Sequence, residues 1–437
     1  MNMKVFKSAV VALVLLSSAS GLAQLPGRKD GVVVKGRQVQ EFCGEKISQL
    51  GLMRWTGKEF QPIPFQVDEK TPEGNFIYPY GKKKNAELGN GKLDPQDELV
   101  FMAWDMGPAA PEGAKWPEDA LKGLQIEAAV NTGKASVYLF SFKSSPPKSP
   151  VDYVQSVVEE GRDYVKTDKY IFGEPVGKGF FDRFYMVTPD GKMGPNYVDR
   201  IKGRGHISTM GGLVKMVKGE GDTPADMVAW IDGPVRVVHR MEGGLELALG
   251  IKIKLAGGSD NVFYRHYLYT PIFFSLPAGA STFLKGSYML YTIDFNNNIK
   301  GSYYFDPINS TPVILDGKPS DQKKNLDLES HHNWYAVGGD KANIAVRMVI
   351  PEALKDQIQL TTFFVDDEQE ADPPESEPGR HQPGLKIAGW FEVPPGKYTY
   401  VLYYMVSEQK LTMDNVSTWL DILDHPIKIT SQKLNKN

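Results

Sequence analysis

Histidine and aromatic side chains occur together at two places in the second half of the chain. Tyr264 and His266 lie in the sequence VFYRHYLY, and His331, His332 and Trp334 lie in the sequence HHNW. Aromatic faces stack on sugar rings, and imidazole and phenol groups exchange hydrogen bonds with hydroxyl groups. We therefore predict one ligand-binding surface that contains all five residues. A core position or a solvated outer sheet face is the alternative for each of them.

An acid and a base must meet at a reacting bond, so a carboxylate is expected beside one of these histidines if a reaction takes place. The nearest candidates in sequence are Glu329, Asp366 and Asp367. The last two begin the acidic, proline-containing segment 366–384, whose like charges repel one another unless a cation or a basic partner neutralises them. We predict a long loop here that covers a cleft or binds calcium, with a solvated loop as the alternative.

A second candidate site is the sequence NGKLDPQDEL, which matches the second half of an EF-hand or dockerin calcium loop. Asn90, Asp94 and Asp97 stand at oxygen-ligand positions, Gly91 stands at the sharp turn, and Glu98 follows. Apolar residues occupy the first two ligand positions of the loop. The spacing predicts calcium at Asn90, Asp94, Asp97 and Glu98, and a turn that only precedes a strand is the alternative.

Other classes of site are disfavoured by residue counts and spacing. Cys43 is the only cysteine, which excludes an intramolecular disulfide and cysteine-based zinc, haem or iron–sulfur sites. The seven histidines lack the i, i+4 spacing of a zinc protease. The chain also has no GxSxG elbow, Walker motif or dinucleotide fingerprint. The sequence therefore does not identify a reaction.

Alternating apolar and polar residues predict that strands position these side chains. The clearest example is 245–255, where leucine and isoleucine occupy every second position. The segments 386–393 and 398–406, rich in β-branched and aromatic residues, are also predicted strands. The aromatic-rich runs on either side of Asn296–Asn298 predict a hairpin, and the spacing of apolar residues after Asp414 predicts a short helix capped by that aspartate. Strands outnumber helices without regular alternation, so the predicted fold is mainly β: an antiparallel β-sandwich or supersandwich with few short helices.

The ends and linkers of the chain predict its organisation and location. Lys4 and Lys7, an apolar run and small residues up to Ala23 indicate a signal peptide over residues 1–23. Its apolar run is shorter than the roughly 20 residues that a membrane span needs. The proline-rich sequence KSSPPKSP indicates a linker between an N-terminal β domain, 24–145, and a larger C-terminal β-sandwich, 151–437. We predict a periplasmic or extracellular protein with no membrane span in the mature chain.

The net charge of -3 and the pI near 6.2 give no electrostatic reason to expect nucleic acid as a partner. The pairing of IPFQVDE with NGKLDPQDELVFMAWDMG resembles uncharacterised exported bacterial proteins with a dockerin-like loop. GPVRVVHR and FYRHYLYTP are similar to segments of the galactose-mutarotase-like supersandwich, a resemblance that implies carbohydrate chemistry. We therefore expect an exported protein that binds or processes an extracellular carbohydrate. The alternative is a non-catalytic envelope or cell-surface subunit that acts through protein partners.

Overall fold

The structure is a computed structural model that describes residues 25, 27–176, 181–219, 225–243, 258–276, 278–372 and 380–436. The predicted signal peptide and the predicted strand 245–255 lie outside the described residues. The described strands, numbered β1 to β28 along the chain, are Gly31–Lys35, Leu50–Trp55, Phe60–Pro62, Gln66–Asp68, Tyr80–Gly81, Glu98–Met102, Ala120–Val130, Gly133–Phe142, Gln155–Glu159, Arg162–Lys166, Tyr170–Pro175, Arg183–Val187, Met193–Asn196, Val198–Thr209, Val214–Lys218, Ala225–Asp232, Arg236–Gly243, Ser259–Tyr264, Tyr267–Leu276, Tyr288–Phe295, Tyr303–Phe305, Val313–Ile314, Trp334–Gly338, Ile344–Val349, Gln359–Asp367, Arg380–Ala388, Gly396–Val406 and Lys428–Lys433.

Helices in this part of the chain are few and short. The α-helices are α1 (Ala280–Phe283), α2 (Asp321–Lys324) and α3 (Ser417–Asp424). The 3-10 helices are Gly36–Phe42, Ile47–Gln49, Ala86–Leu88, Ala103–Asp105, Met210–Gly212, Asn297–Ile299, Glu352–Leu354 and Trp390–Glu392. None of the described helices is long and apolar enough to cross a bilayer.

The strands form five sheets whose pairs are antiparallel, which confirms the predicted mainly β fold class. Their strand orders are β22-β21-β23-β24-β27-β19-β18-β17-β16-β5, β15-β14-β20-β26-β25, β13-β12-β11-β10-β9, β28-β7-β8-β2-β3 and β1-β6-β4.

The largest hydrophobic core lies between the ten-stranded sheet and the five-stranded sheet that contains β20. Leu268 and Leu402 come from the first sheet, whereas Ile293 and Ile387 come from the second, and all four are buried in one cluster. Strands that cover an apolar core in this way have their buried residues at every second position, because successive side chains point to opposite faces. The two sheets therefore pack as a sandwich.

The predicted hairpin around Asn296–Asn298 is wrong. β20 pairs with β14 and β26, whereas β21 pairs with β22 and β23 in the other sheet. The Asn296 side chain accepts a hydrogen bond from the Asn298 backbone at 3.0 Å and caps the 3-10 turn. The three asparagines thus carry the chain from one sheet to the other, because an Asx turn reverses the chain without requiring its flanking strands to pair.

The C-terminal end of the chain contacts both parts of the molecule. Helix α3 buries Trp419 and Leu420, as its spacing predicted, but Val416 rather than Asp414 precedes it and no side chain caps it. Strand β28 then pairs with β7, so the last strand completes a sheet built from residues of the N-terminal third. The two-domain division around residues 145–151 stays a prediction.

Candidate functional site

A cavity of about 430 Å³ opens beside the turn between β18 and β19. We call it the His266 cavity. Its other walls are residues 25 and 27–29, the turn that contains Trp104, and two single side chains, Lys169 and Glu408. Most of these groups are charged or able to form hydrogen bonds, which suits a polar ligand.

His266 reaches the cavity because β18 and β19 are joined by only two residues, Arg265 and His266. The residues on either side, Tyr264 and Tyr267, are buried in the sheet. The His266 carbonyl accepts a 2.8 Å hydrogen bond from the Val406 backbone, which holds the turn against β27. The tight connection therefore turns two polar side chains out of the sheet and into the cavity wall.

His266 and Glu408 are in contact in the wall of the cavity. Glu408 Oε2 lies 3.4 Å from His266 Nδ1, so these two buried atoms are within ion-pair distance of each other. His266 is only 4% exposed, and burial lowers the pKa of its imidazole, so the ring is neutral at neutral pH. Burial acts to raise the pKa of Glu408, but His266 and Lys29 outweigh it and lower that pKa. The pair therefore combines a neutral imidazole with an ionised carboxylate.

Trp104 is held in the wall by a chain of hydrogen bonds. Its Nε1 donates to the Tyr153 hydroxyl at 3.0 Å, and that hydroxyl donates to Asp105 Oδ1 at 2.8 Å. The Trp104 ring also contacts His266 edge to face, with centroids 5.3 Å apart. Edge-to-face packing and a satisfied indole N–H fix an aromatic ring in one orientation. Trp104 is therefore a rigid aromatic element of the His266 cavity.

The cations of the cavity are oriented by carboxylates. Arg265 donates to both oxygens of Asp168, from Nε and Nη2, at 2.6 Å each. Lys29 Nζ donates to Glu408 Oε1 at 2.6 Å and lies 4.4 Å above the Trp419 ring. Charged groups held by a partner in this way keep their remaining donors in fixed directions.

Tyr264, which was predicted to bind a ligand, is a core residue. It is 1% exposed, and its hydroxyl accepts a 3.2 Å hydrogen bond from Arg236 Nη1. Its ring stacks on Tyr267 and contributes to a separate cavity of about 310 Å³ beneath α3. Tyr264 and His266 are two positions apart in sequence, but only His266 lines the His266 cavity.

The structure does not bring His331, His332 and Trp334 to His266. Strands β23, β24, β27 and β19 are neighbours in that order, so three strand spacings separate β23 from β19. Across them, Trp334 lies opposite Arg347, Arg347 opposite Tyr403, and Tyr403 opposite Tyr269. With strands about 4.8 Å apart and residues about 3.3 Å apart, this register puts the Trp334 and His266 backbones roughly 17 Å apart. The single surface predicted from the two clusters is therefore wrong, because their strands are not neighbours.

His331 and His332 have local contacts instead. His331 Nδ1 accepts from the Leu360 backbone at 3.2 Å. His332 is 7% exposed, its Nδ1 lies 2.9 Å from the Ser330 carbonyl, and its Nε2 lies 3.7 Å from Asp306 Oδ2.

The carboxylates predicted to accompany a histidine occupy other places. Asp366 is buried, accepts hydrogen bonds from His381 and from Lys323, and lies opposite His381 in the β25–β26 pair. The ends of the predicted acidic loop are therefore strands, and residues 373–379 lie outside the described part. The other two candidates are the exposed Glu329 and Asp367 at the end of β25. Glu408 was missed because nothing in its local sequence distinguishes it.

The four predicted calcium ligands do not face one point. Asn90 Oδ1 accepts from the Lys92 backbone at 2.8 Å, and Asp97 accepts from the backbones of Lys70 at 2.8 Å and Asp94 at 2.7 Å. Glu98 points away from the loop and pairs with Arg236, because neighbouring strand residues face opposite sides. Within the described residues, no group of three or more histidine, cysteine, aspartate or glutamate side chains is arranged to hold a metal. Calcium binding at this loop stays a prediction.

No family model matches the chain, and a search of curated proteins finds no match. Among solved structures, the chain is similar to an alpha-mannosidase from Enterococcus faecalis V583, with 8% identity and a TM-score of 0.46 over 94% of this chain. The chain spans 45% of the length of that mannosidase. The structure of HI1317 is similar over 58% of this chain and 98% of its own, with 10% identity and a TM-score of 0.28. The dockerin-like and supersandwich resemblances stay predictions, and the function is inferred from the residues of the cavity.

Proposed function

We propose that this protein binds a carbohydrate in the His266 cavity. The observation that carries the proposal is the lining of the cavity, where the His266–Glu408 pair, Lys29 and Arg265 lie beside the rigid ring of Trp104. Covering such polar groups without replacing the hydrogen bonds that they make to water costs roughly 1–3 kcal/mol for each group. An apolar ligand would leave that cost in place, so the cavity favours a hydroxyl-rich ligand.

The chemistry of a sugar matches these groups one by one. A hydroxyl can donate to the ionised Glu408 carboxylate and exchange a hydrogen bond with the neutral His266 ring. The C–H face of a sugar ring packs on an aromatic side chain, and Trp104 provides one that its hydrogen bond to Tyr153 holds in place. A few oriented polar groups beside one rigid aromatic ring are what a small polar ligand requires.

A glycan array with the mature protein, followed by calorimetry on the best ligand, tests the proposal. We expect His266→Ala and Trp104→Ala each to weaken binding about tenfold or more, because each removes a contact worth about 1.4 kcal/mol or more. His331→Ala is the matched control, because His331 belongs to the other histidine cluster and should leave the affinity unchanged. Loss of binding in His331→Ala, or unchanged binding in His266→Ala, would contradict the placement of the site. Product analysis of the same mixtures tests whether the glycan is also processed.

Export to the periplasm or the cell exterior is the second part of the proposal. It rests on the charged, apolar and small-residue regions of residues 1–23. A reporter fused after Gln24 should cross the inner membrane and lose the first 23 residues. A reporter that stays in the cytoplasm with Met1 intact would overturn it.

An envelope subunit that binds protein partners is the second candidate. Among the described strands, β15 lies at the edge of its sheet, and the turn before it exposes Met210 by 62% and Leu213 by 88%. Unpaired edge strands and exposed apolar side chains are features of protein-binding surfaces. If the glycan array finds no ligand and Leu213→Ser abolishes capture of a defined envelope protein, this candidate replaces carbohydrate binding.

A further inference from the structure

The charges around the His266 cavity are distributed unevenly. At one end, Asp168 contacts both Arg265 and Lys169: its two oxygens accept from Arg265 at 2.6 Å, and Lys169 Nζ lies 3.4 Å from Oδ2. Two cations against one carboxylate leave a net charge of +1. Burial acts to raise the pKa of Asp168, but Arg265 and Lys169 outweigh it and lower that pKa, so the carboxylate is ionised at neutral pH.

The rest of the cavity has no such surplus. Arg28 donates to Asp30 at 2.8 Å and also lies 3.1 Å from Asp421, so one cation contacts two carboxylates. Lys29 and Glu408 form a pair with one charge of each sign. By direct contacts, the surplus of cations over carboxylates therefore lies at the Arg265 end of the cavity, although Glu408 and Asp105 also act on Arg265 electrostatically.

We propose that the ligand carries a carboxylate, as a uronic acid does, and that Arg265 and Lys169 bind it. The proposal rests on carbohydrate binding in the His266 cavity and names the class of sugar. Among the described residues, Arg265 uses Nε and Nη2 for Asp168 and leaves Nη1 available. Lys169 Nζ lies 3.4 Å from the same carboxylate, and because an ammonium group has three donors it can contact a second anion as well. The ligand carboxylate accepts from these two donors.

The position of Arg265 gives the proposal a definite geometry. Its guanidinium lies 5.7 Å from the centroid of the Trp104 ring and 5.4 Å from that of Tyr153. A planar guanidinium held by a carboxylate and two aromatic rings keeps its free donor in one direction. A sugar ring packed on Trp104 therefore brings a carboxylate substituent to Arg265, whereas the sugar hydroxyls reach His266 and Glu408.

Matched ligands test this inference separately from carbohydrate binding. The probes are oligomers of galacturonate, glucuronate and mannuronate, each compared with its carboxyl-reduced form, together with a sulfated neutral oligosaccharide. We expect at least one acidic oligomer to bind about tenfold more tightly than its reduced form, because a charge-assisted hydrogen bond is lost on reduction. The difference should shrink as salt is added.

Variants assign the effect to residues. Lys169→Gln and Arg265→Gln should each remove most of the difference between acidic and reduced ligands, whereas Lys192→Gln, whose side chain is 81% exposed, should leave it intact. Lys169→Gln keeps the test decisive if Arg265→Gln does not fold, since it leaves the Arg265–Asp168 pair in place. Equal binding of acidic and reduced forms, or preference for the sulfated probe, overturns the inference while carbohydrate binding stands. No binding of any probe or array glycan overturns the proposed function itself.

Discussion

Arg236 Nε donates a 2.7 Å hydrogen bond to Asp68 Oδ2, although 168 positions separate the two residues. Arg236 also contacts Glu98, and all three side chains are buried. This cluster joins the small β1-β6-β4 sheet to the ten-stranded sheet, since Arg236 begins β17 whereas Asp68 and Glu98 lie in β4 and β6. Among the described residues Asp68 pairs with Arg236 alone, whereas Glu98 also contacts Lys35 and Lys70, so Arg236 matters most for the buried charge of Asp68.

We therefore expect Arg236→Met to lower the free energy of unfolding by roughly 3–5 kcal/mol, because removing one partner leaves uncompensated buried charge. Chemical denaturation of the purified protein measures the change. Arg37→Met is the matched control: Arg37 is exposed, and its replacement should change the value by no more than about 0.5 kcal/mol. Equal losses in the two variants would show that the buried cluster contributes nothing specific.

Glu174 lies opposite Asp163 in the β10–β11 pair. Both of its carboxylate oxygens are buried without a hydrogen-bond partner among the described residues. Burial, together with the nearby Asp163 and Asp182, raises the pKa of Glu174 well above the ordinary value of 4.5. Folding therefore favours the protonated carboxyl group of Glu174. The stability that this protonated group contributes is complete below pH 4.5 and is lost as pH rises through the raised pKa.

Glu174→Gln should therefore stabilise the protein at neutral pH and change little below pH 4.5. Urea denaturation of both proteins at the two pH values measures this difference. Glu160→Gln, at an exposed turn, is the control. A variant that is equally stable or less stable than the parent at neutral pH would contradict an unpaired Glu174.

The fold class could be predicted from the sequence because strand signals are local. Predicted strand 398–406 matches β27, which covers Gly396–Val406. Boundaries were less predictable: 386–393 was predicted as one strand, but β26 ends at Ala388. Gly389 adopts a left-handed φ of 78°, and a 3-10 turn at Trp390–Glu392 follows. That conformation suits glycine, and the Gln357 carbonyl also occupies the space that a side chain at position 389 would need, which sequence alone does not show.

The His266 cavity was predicted only in part, because strands that are far apart in the sequence pair and bring its residues together. His266 was identified from its aromatic neighbours, and it does line a cavity. Glu408 reaches it because β19 pairs with β27, whose register sets Tyr267 opposite Met405. Register between distant strands is set by the packing of whole sheets, so no local pattern links these two residues.

Calcium at the Asn90 loop is tested by thermal melting. If the ion binds only the folded protein, a concentration of about 100 times its dissociation constant stabilises the fold by about 2.7 kcal/mol. We expect the melting temperature to rise in calcium relative to chelator, and Asp94→Asn to reduce that rise because it removes a charged oxygen ligand. Asp340→Asn, whose side chain is 82% exposed, controls for the loss of one negative charge. Coincident melting curves in calcium and chelator would leave the loop as a turn only.

Asp105 supports Trp104 through Tyr153, and its protonation should make the stability of the protein depend on pH. Burial raises the pKa of Asp105 to about 6 from 3.8, although Tyr153 and two arginines act to lower it. The contribution of protonated Asp105 to stability is therefore complete below pH 3.8 and is lost as pH rises through about 6. A shift of this size corresponds to roughly 3 kcal/mol.

Asp105→Asn should remove the loss of stability that occurs as pH rises through about 6. The asparagine amide oxygen can still accept a hydrogen bond from the Tyr153 hydroxyl, and the side chain has no charge to be buried. We expect the variant to be more stable than the parent above pH 6, by at most about 3 kcal/mol, and to differ little below pH 3.8. Denaturation across this range measures the difference, and Asp340→Asn should show none of it. Sugar binding gives a second readout: if Asp105 acts only by positioning Trp104, Asp105→Asn keeps its affinity. A variant that is less stable than the parent at neutral pH would show that the ionised Asp105 carboxylate stabilises the folded protein, so that folding lowers its pKa and does not raise it.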